Sequence, residues 1–258
     1  MKRFCGIANI PLTQKICLAG LFTALATILQ KILAINYLAA LPFFRISFGA
    51  PAVIVFASIF LGPFFGAAVG AFSDILGYFA FDMSSFGYMP QITLIYLLLG
   101  FSGHFVYQLI NKIKNETAVF IIEIVFLSLS FVGATCYLTL AYDCSLLAKI
   151  LIPIGLFVLI TILIIFQRIF SKKDGKFYAP IKLSFAYLIL DVFVLVLFGS
   201  LMKAWAFSSS PESMWSLFVT VLITQCFVMI FNVVFSTILL STFFRLTKKY
   251  MRVDYDRE

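Results

Sequence analysis

The chain has 258 residues, of which 63% are hydrophobic and 12% are charged, and its formal net charge is +8. This composition excludes a soluble domain, because a folded chain of this size has too little interior to hide so much apolar surface. The mean hydropathy is +1.09, and several nearly uncharged windows of about 20 residues are long enough to cross a bilayer. We therefore predict a single integral membrane domain over residues 1–258.

Apolar runs between turn and charge clusters predict an all-α bundle of eight transmembrane helices. In chain order these helices cover 15–35, 48–61, 63–80, 91–111, 117–141, 146–170, 181–206 and 214–245. The second and third are short for complete spans, and only Gly62-Pro63 separates them. We expect them to be tilted or partly buried within the bundle.

The basic residues predict the orientation of the bundle. With a cytoplasmic N-terminus, all but four of the 19 lysines and arginines fall on the inner side, as the positive-inside rule requires. The four at or near the outer side are Lys31, Arg45, Lys149 and Lys203. Both termini are then cytoplasmic, and the membrane explains the positive charge without a nucleic-acid partner. No removable signal peptide is expected.

Two predicted outer segments, 36–47 and 81–90, carry the unusual chemistry. Arg45 and Ser47 stand just before the second helix, where a guanidinium with five donors suits a carboxylate or phosphate group. An interfacial arginine solvated by lipid headgroups is the alternative. Asp74, in the outer half of the third helix, is either a substrate-binding residue or an interhelical hydrogen-bond or ion-pair partner.

The segment that opens the fourth helix combines aromatic, amide and hydroxyl groups. Its candidate binding residues are Phe86, Tyr88, Pro90, Gln91 and Thr93. Such a set suits a pocket for a flat heteroaromatic ligand. It also suits an ordinary interfacial loop with belt aromatics, and the sequence leaves both interpretations open.

Other polar residues within predicted helices have weaker functional interpretations. Asp191 has no obvious partner in the sequence, and Glu123 lies close enough to the cytoplasmic end for its carboxylate to reach water. Gln225 and Asn232 are typical of interhelical polar contacts. A membrane enzyme that uses Asp74 and Asp191 as acid and base is one alternative function, and it requires both carboxylates to meet in one cavity.

Small residues line one face of two predicted helices. In the third helix, Gly66 and Gly70 favour close packing within the bundle. In the first helix, Gly20 and Ala24 suit either packing within the bundle or docking of another subunit. The chain contains no nucleotide-binding P-loop and no catalytic motif of the common hydrolase types, so we predict a non-catalytic protein without its own ATP site.

The ordered motifs resemble the folate-family substrate-binding (S) component of energy-coupling factor (ECF) vitamin transporters. They are R-x-S-F-G-x-x-P at Arg45–Pro51, L-G-P-x-x-G-x-x-x-G-x-x-x-D-x-x-G at Leu61–Gly77, and G-Y-x-P-x-x-T-L at Gly87–Leu94, followed by Gly100. The resemblance covers residues 12–110, the first four helices, and returns weakly in the last helix near Gln225 and Asn232.

The resemblance implies a six-helix bundle in a prokaryotic cell membrane that holds a vitamin near its outer face. It implies three partners: a transmembrane coupling protein and two cytoplasmic ATPases, which use the ATP, so that no cofactor is expected in this chain. By position, Arg45, Ser47, Tyr88, Pro90 and Thr93 are implied to bind the vitamin. The face of the first helix that carries Gly20 and Ala24 is implied to dock the coupling protein.

Two departures from the family pattern qualify this interpretation. Leu99 stands where similar sequences tend to have an arginine that engages a substrate carboxylate, which weakens the case for the glutamate tail of folate. The motifs still imply folate or a related pterin as the expected vitamin, with another vitamin as the alternative. Residues 117–170 form two additional predicted helices, an inserted hairpin before the last two core helices at 181–245. A secondary transporter that works alone is a further alternative, and it predicts inverted repeats.

Overall fold

The structure, a computed structural model, describes residues 11–31, 35–36, 45–46, 49–81, 88–140, 146–171, 180–208 and 210–250. The described chain is an all-α bundle, as predicted. Its helices are α1 (Leu12–Lys31), α2 (Ala50–Leu61), α3 (Pro63–Phe81), α4 (Pro90–Asn111), α5 (Glu116–Leu140), α6 (Leu146–Ser171), α7 (Pro180–Leu190), α8 (Gly199–Phe207) and α9 (Pro211–Tyr250). A π-helical segment, Asp191–Phe198, joins α7 to α8 without a break.

Among the described residues, seven continuous helices are long and apolar enough to cross a membrane, which confirms a multi-pass membrane protein. The third predicted helix was expected to be short, yet α3 has 19 residues and meets the required length. The short member is α2, with 12 residues. In contrast, α9 has 40 residues and is about 60 Å long at 1.5 Å per residue, roughly twice the thickness of a hydrocarbon core.

The first predicted helix ends earlier than its apolar pattern indicates. It was expected to reach residue 35, but α1 ends at Lys31, and Ile35–Asn36 form a short strand, β1. This strand pairs antiparallel with β2 (Arg45–Ile46), with Asn36 opposite Arg45. Arg45 therefore lies in a strand rather than in an irregular loop. Apolar periodicity cannot distinguish a short strand from the end of a helix, because the pairing depends on residues nine and eleven positions away.

The short helix α2 occupies the centre of the bundle, where it packs against α1, α3, α4 and α9. All of its residues except Ile59 are buried. The turn to α3 is a single residue, Gly62, with φ of 107°, a conformation that glycine adopts without steric cost. Pro63 then begins α3, since a proline at the first helical position loses no intrahelical hydrogen bond. The prediction that this segment is buried is confirmed for α2.

Glycines bring α3 and α4 into backbone contact, as predicted for the third helix. A Cβ atom built on Gly70 would lie 2.2 Å from the carbonyl oxygen of Tyr96, and one on Gly66 would lie 2.6 Å from that of Gly100. No side chain larger than hydrogen fits between backbones at these distances. The backbones of the two helices are therefore in direct contact along this face.

A buried carboxyl group ties the hairpin of α5 and α6 to the rest of the bundle. Glu123 is 1% exposed, so the expectation that it reaches water at the cytoplasmic end is wrong. Its Oε1 accepts hydrogen bonds from Gln167 Nε2 in α6, at 2.9 Å, and from the Ser184 hydroxyl in α7. Thr237 in α9 donates to Ser184 Oγ at 2.9 Å. One polar cluster thus links four helices, which a chain pattern cannot reveal.

Candidate functional site

Three of the residues predicted to bind substrate form one chain of hydrogen bonds. Thr93 Oγ1 in α4 donates to Asp74 Oδ2 in α3 at 2.6 Å, and it lies 2.6 Å from the Tyr88 hydroxyl. A threonine hydroxyl has a single proton, which goes to the carboxylate, so Tyr88 donates to Thr93. The order Tyr88, Thr93, Asp74 therefore positions the phenol ring at the start of α4.

Asp74 links three helices. Its Oδ1 accepts a hydrogen bond of 3.3 Å from Gln30 Nε2 in α1, while Oδ2 accepts the bond from Thr93. The Asp74 side chain is 5% exposed, as expected for a carboxylate that is satisfied within the protein. Of the two interpretations of Asp74, the structure supports the interhelical one, in which this residue positions groups that lie closer to the surface.

The predicted binding residues other than Asp74 and Thr93 divide into three groups. Tyr88 and Pro90 are exposed and Gln91 is half-buried, all at the start of α4. For Arg45, the backbone is described in β2 and the side chain is not. Ser47 and Phe86 lie outside the described residues, so the predictions for them remain predictions.

Tyr88 belongs to an aromatic cluster on the surface of the bundle. Its ring centroid lies 5.4 Å from that of Tyr78 and 6.0 Å from that of Phe79, and it stacks on the latter at 24° between ring planes. Offset aromatic pairs at these distances attract each other beyond simple burial of area. The cluster restricts the Tyr88 ring while leaving 37% of the residue exposed.

A cavity of about 100 Å³ lies at the end of the bundle where α1 ends and α2 and α4 begin, called the strand end below. This is the end that the positive-inside rule predicts to face outward. The residues that line the cavity come from α1, α2, α4, the π-helical segment, α8 and α9. They are Gln30, Pro51, Ile92, Ile95, Tyr96, Leu195, Gly199, Lys203, Gln225, Val228 and Asn232.

Gln30 connects this cavity with the hydrogen-bond chain. The side chain lines the cavity, and its Nε2 donates to Asp74. Neither Asp74, Thr93 nor Tyr88 lines the cavity itself. The structure therefore brings the predicted residues together beside the cavity, with Gln30 between the two.

A second carboxylate–amide pair also reaches the cavity. Asn232 Nδ2 in α9 donates to Asp191 Oδ1 at 3.3 Å, and both side chains are buried. Asp191, for which the sequence offered no partner, thus has one on α9. The interhelical contact predicted for Asn232 is confirmed, and Asn232 lines the cavity as well.

Asp191 begins the π-helical segment, in which Leu195 also lines the cavity. A π-helix widens the turn and shifts the register of the side chains, and such segments are frequent at functional sites. The sequence Asp191–Phe198 is apolar apart from its first residue and contains no proline or glycine. Its composition therefore carried no signal for the π-helix.

Lys203 in α8 brings positive charge to the cavity wall and lies within electrostatic range of Asp191. Together with Gln30 and Tyr96, it is a lining residue that the sequence interpretation did not select. The available signal was a lysine near the end of a strongly apolar helix, where a charged group is costly without a use. For Gln30 and Tyr96 no comparable signal exists.

Leu99, the residue that departs from the family pattern, lies in the bundle core. It is fully buried and does not line the cavity. Its apolar side chain supplies no charge for a substrate carboxylate. Lys203 is the single cationic residue among the described ones that line the cavity.

The predicted docking face of α1 is exposed. A Cβ atom built on Gly20 has no neighbour within 4 Å, and the adjacent Leu21 is 60% exposed. Ala24 is exposed on the same helix. Within the described chain, these small residues therefore do not mediate packing inside the bundle, and docking of another subunit on this face stays a prediction.

No family model, curated protein or solved structure matches this chain. Among the described residues, no three histidine, cysteine, aspartate or glutamate side chains come together to hold a metal ion. The function is therefore inferred from the sequence motifs together with the cavity and its surroundings.

Proposed function

We propose that this chain is the substrate-binding component of an ATP-driven ECF vitamin importer, and that it binds folate or a related pterin. The observation that carries the proposal is the cavity at the strand end, which has mainly apolar walls and a few polar groups, at the end where the motif resemblance places the vitamin. Apolar walls with a few convergent polar groups are typical of small-molecule sites.

The size of the cavity indicates how much of a vitamin it accepts. Complete sites for drug-sized ligands are usually about 300–1,000 Å³, whereas this cavity measures about 100 Å³. An apolar cavity of roughly 150 Å³ is known to hold benzene. The cavity therefore fits about one ring of the ligand, and the rest of the molecule extends from the strand end past Tyr88.

The hydrogen-bond chain beside the cavity supports a pre-organised aromatic contact. Asp74 orients Thr93, Thr93 accepts from Tyr88, and the ring of Tyr88 is 37% exposed. A held aromatic ring binds a flat ligand with little loss of side-chain entropy. Arg45 is proposed to pair with a carboxylate of the ligand, in accordance with its position in the first motif.

The proposed partners are a transmembrane coupling protein and two cytoplasmic ATPases. The absence of a P-loop in the sequence requires ATP hydrolysis by other subunits, if transport is driven by ATP. The exposed face of α1 around Gly20 and Ala24 suits close approach of another transmembrane helix. The lipid bilayer surrounds the remaining apolar surface.

The alternatives lack a comparable observation. A membrane enzyme that uses Asp74 and Asp191 requires both carboxylates at the reaction centre, yet neither lines the cavity. Transport by this chain alone, driven by an ion gradient in liposomes, would favour a secondary transporter. Binding of a different vitamin would retain the function as an S component and change only the ligand.

The test is a titration of the detergent-purified chain with folate and reduced folates in the absence of ATP. Wild-type protein should bind one of them saturably, and Arg45→Ala and Thr93→Val should each weaken the binding roughly tenfold, the effect of losing one charged or coupled hydrogen bond. Thr161→Val is the matched control, because this exposed threonine bonds only to its own helix at Phe157. Failure to bind folates, thiamine, riboflavin and other vitamins would refute the proposal.

A further inference from the structure

Asn232 presents a hydrogen-bond acceptor whose partner is missing from the described protein. The side chain lines the cavity and is 6% exposed. Its Nδ2 donates to Asp191, but its Oδ1 is buried and has no hydrogen-bond partner among the described residues. Buried polar atoms in folded proteins are nearly always satisfied, and Asn232 lines the cavity, so a donor group of a bound ligand is the partner that this oxygen would take.

Asp191 determines which atom of Asn232 is available. Asp191 Oδ1 accepts the hydrogen bond from Asn232 Nδ2, so the amide is oriented with Nδ2 toward the carboxyl group. Turning the amide by half a rotation would bring Asn232 Oδ1 against Asp191 Oδ1 and give up that bond. Asp191 is fully buried and 3.3 Å from Nδ2, so the orientation of Asn232 is determined from within the bundle.

A second amide that lines the cavity is held in the same way. Gln30 also lines the cavity, and its Nε2 donates to the buried carboxylate of Asp74 at 3.3 Å. In both pairs the carboxylate lies behind an amide rather than at the cavity wall. The carboxylates therefore set the direction of the amides without placing negative charge beside the ligand.

Apart from Tyr96, Lys203 and Gln225, the other residues that line the cavity are apolar. Ile95, Leu195 and Val228 come from three different segments and line the cavity. A ligand that suits this cavity has a ring that contacts these side chains. It also has an N–H group at the ring edge that donates a hydrogen bond to Asn232 Oδ1. A ligand that presents only acceptors to Asn232 would leave two oxygens facing each other, which disfavours carboxylate or phosphate groups at this point.

We propose that Asn232, positioned by Asp191, selects substrates whose heteroaromatic ring carries an exocyclic amino group, by accepting a hydrogen bond from that group. This inference rests on the proposed vitamin-binding function. Asn232 is a specificity-determining residue in contact with the ligand, whereas Asp191 is a positioning residue that acts through it.

The experiment compares folate with 2-desaminofolate, in which hydrogen replaces the exocyclic amino group. Wild-type protein should bind folate about tenfold more tightly than the desamino compound, because losing the donor leaves a buried acceptor unsatisfied. Asn232→Leu should bind the two compounds equally. Asn111→Leu, at the far end of α4, is the matched control and should retain the tenfold preference.

Asp191→Asn provides a second variant of unchanged side-chain volume, in case Asn232→Leu does not fold. An amide at position 191 both donates and accepts, so Asn232 is free to turn and the preference for folate should fall. A purely structural role for Asp191 would weaken the binding of both compounds by the same factor and overturn the inference.

The outcomes separate the inference from the function on which it rests. Equal binding of both compounds by the wild type overturns the inference and leaves the S-component function standing; a water molecule or a ring N–H then serves Asn232. Binding of neither compound by the wild type overturns the inference together with the assignment of a folate-like ligand.

Discussion

Replacing Gly100 by alanine should destabilise the bundle, because the new methyl group has no space. A Cβ atom at this position would lie 2.1 Å from the carbonyl oxygen of Gly66, 2.4 Å from its carbonyl carbon and 2.8 Å from the backbone nitrogen of Ala67. Ordinary contacts begin at 3.4 Å. All three atoms belong to the backbone of α3, so no side chain can rotate away, and the helices must separate by about 1 Å.

The magnitude follows from the cost of overpacking. Inserted methyl groups in well-packed cores cost typically 1–3 kcal/mol, and a backbone-to-backbone clash belongs at the upper end, about 3 kcal/mol. For a chain of this size, 1 kcal/mol lowers Tm by about 2–4 °C, so a decrease of roughly 6–12 °C is expected. Thermal unfolding in detergent, followed by tryptophan fluorescence or by the loss of the monodisperse peak in size-exclusion chromatography, measures this decrease.

Gly133→Ala is the matched control. It makes the same change in another membrane-spanning helix, α5, where a Cβ atom would have no neighbour within 4 Å. Its Tm should be unchanged or slightly higher, because alanine loses less backbone entropy than glycine in a helix. A Tm for Gly100→Ala no lower than that of Gly133→Ala would refute the close packing of α3 on α4.

Three further predictions concern other parts of the molecule. Glu123→Ala should lower the free energy of unfolding by about 2–4 kcal/mol, because Gln167 and Ser184 lose their shared acceptor. Glu123→Gln retains a carbonyl oxygen and should cost less than half of that. Thermal unfolding compares the two variants. Tyr88→Phe removes only the hydroxyl that bonds to Thr93 and should weaken folate binding roughly threefold to tenfold in a titration, while Tyr137→Phe in α5 should leave it unchanged. Gly20→Leu should keep the Tm and the folate affinity of the wild type but abolish co-purification with a coexpressed ECF module. Gly155→Leu in α6, where the glycine is equally open, should retain co-purification. Retained co-purification of Gly20→Leu would contradict the docking role of α1.

The membrane-spanning elements are predictable from the sequence because they depend on local composition. A helix such as α6 is recognised from an apolar run long enough to cross the bilayer, whatever it packs against. For the same reason, most predicted helix ends agree with the observed ends within one or two residues. One error lies where the backbone depends on distant residues, at Ile35, which pairs with Ile46 instead of continuing α1. The last helix was also predicted too short, at 214–245, whereas α9 covers Pro211–Tyr250.

The candidate site was predictable only in part. Tyr88, Thr93 and Asp74 attract attention as polar groups beside apolar runs, and the structure joins them by hydrogen bonds. Their separation along the chain gives no information on the direction of those bonds. Gln30 looks like an ordinary polar residue near a helix end, and its role appears only when α1 is placed against α3.

The amino-acid sequence by itself determined that this protein is a multi-pass helical membrane protein, since hydrophobic length and charge distribution act locally and survive in any packing arrangement. It also indicated which end of the bundle carries the polar chemistry. Only the tertiary structure decided that Asp191 meets Asn232, that Glu123 is buried among four helices, and that two carboxylates stand behind amides at one cavity. Those contacts join residues more than 40 positions apart. Their geometry is set by how whole helices pack, which no local pattern encodes.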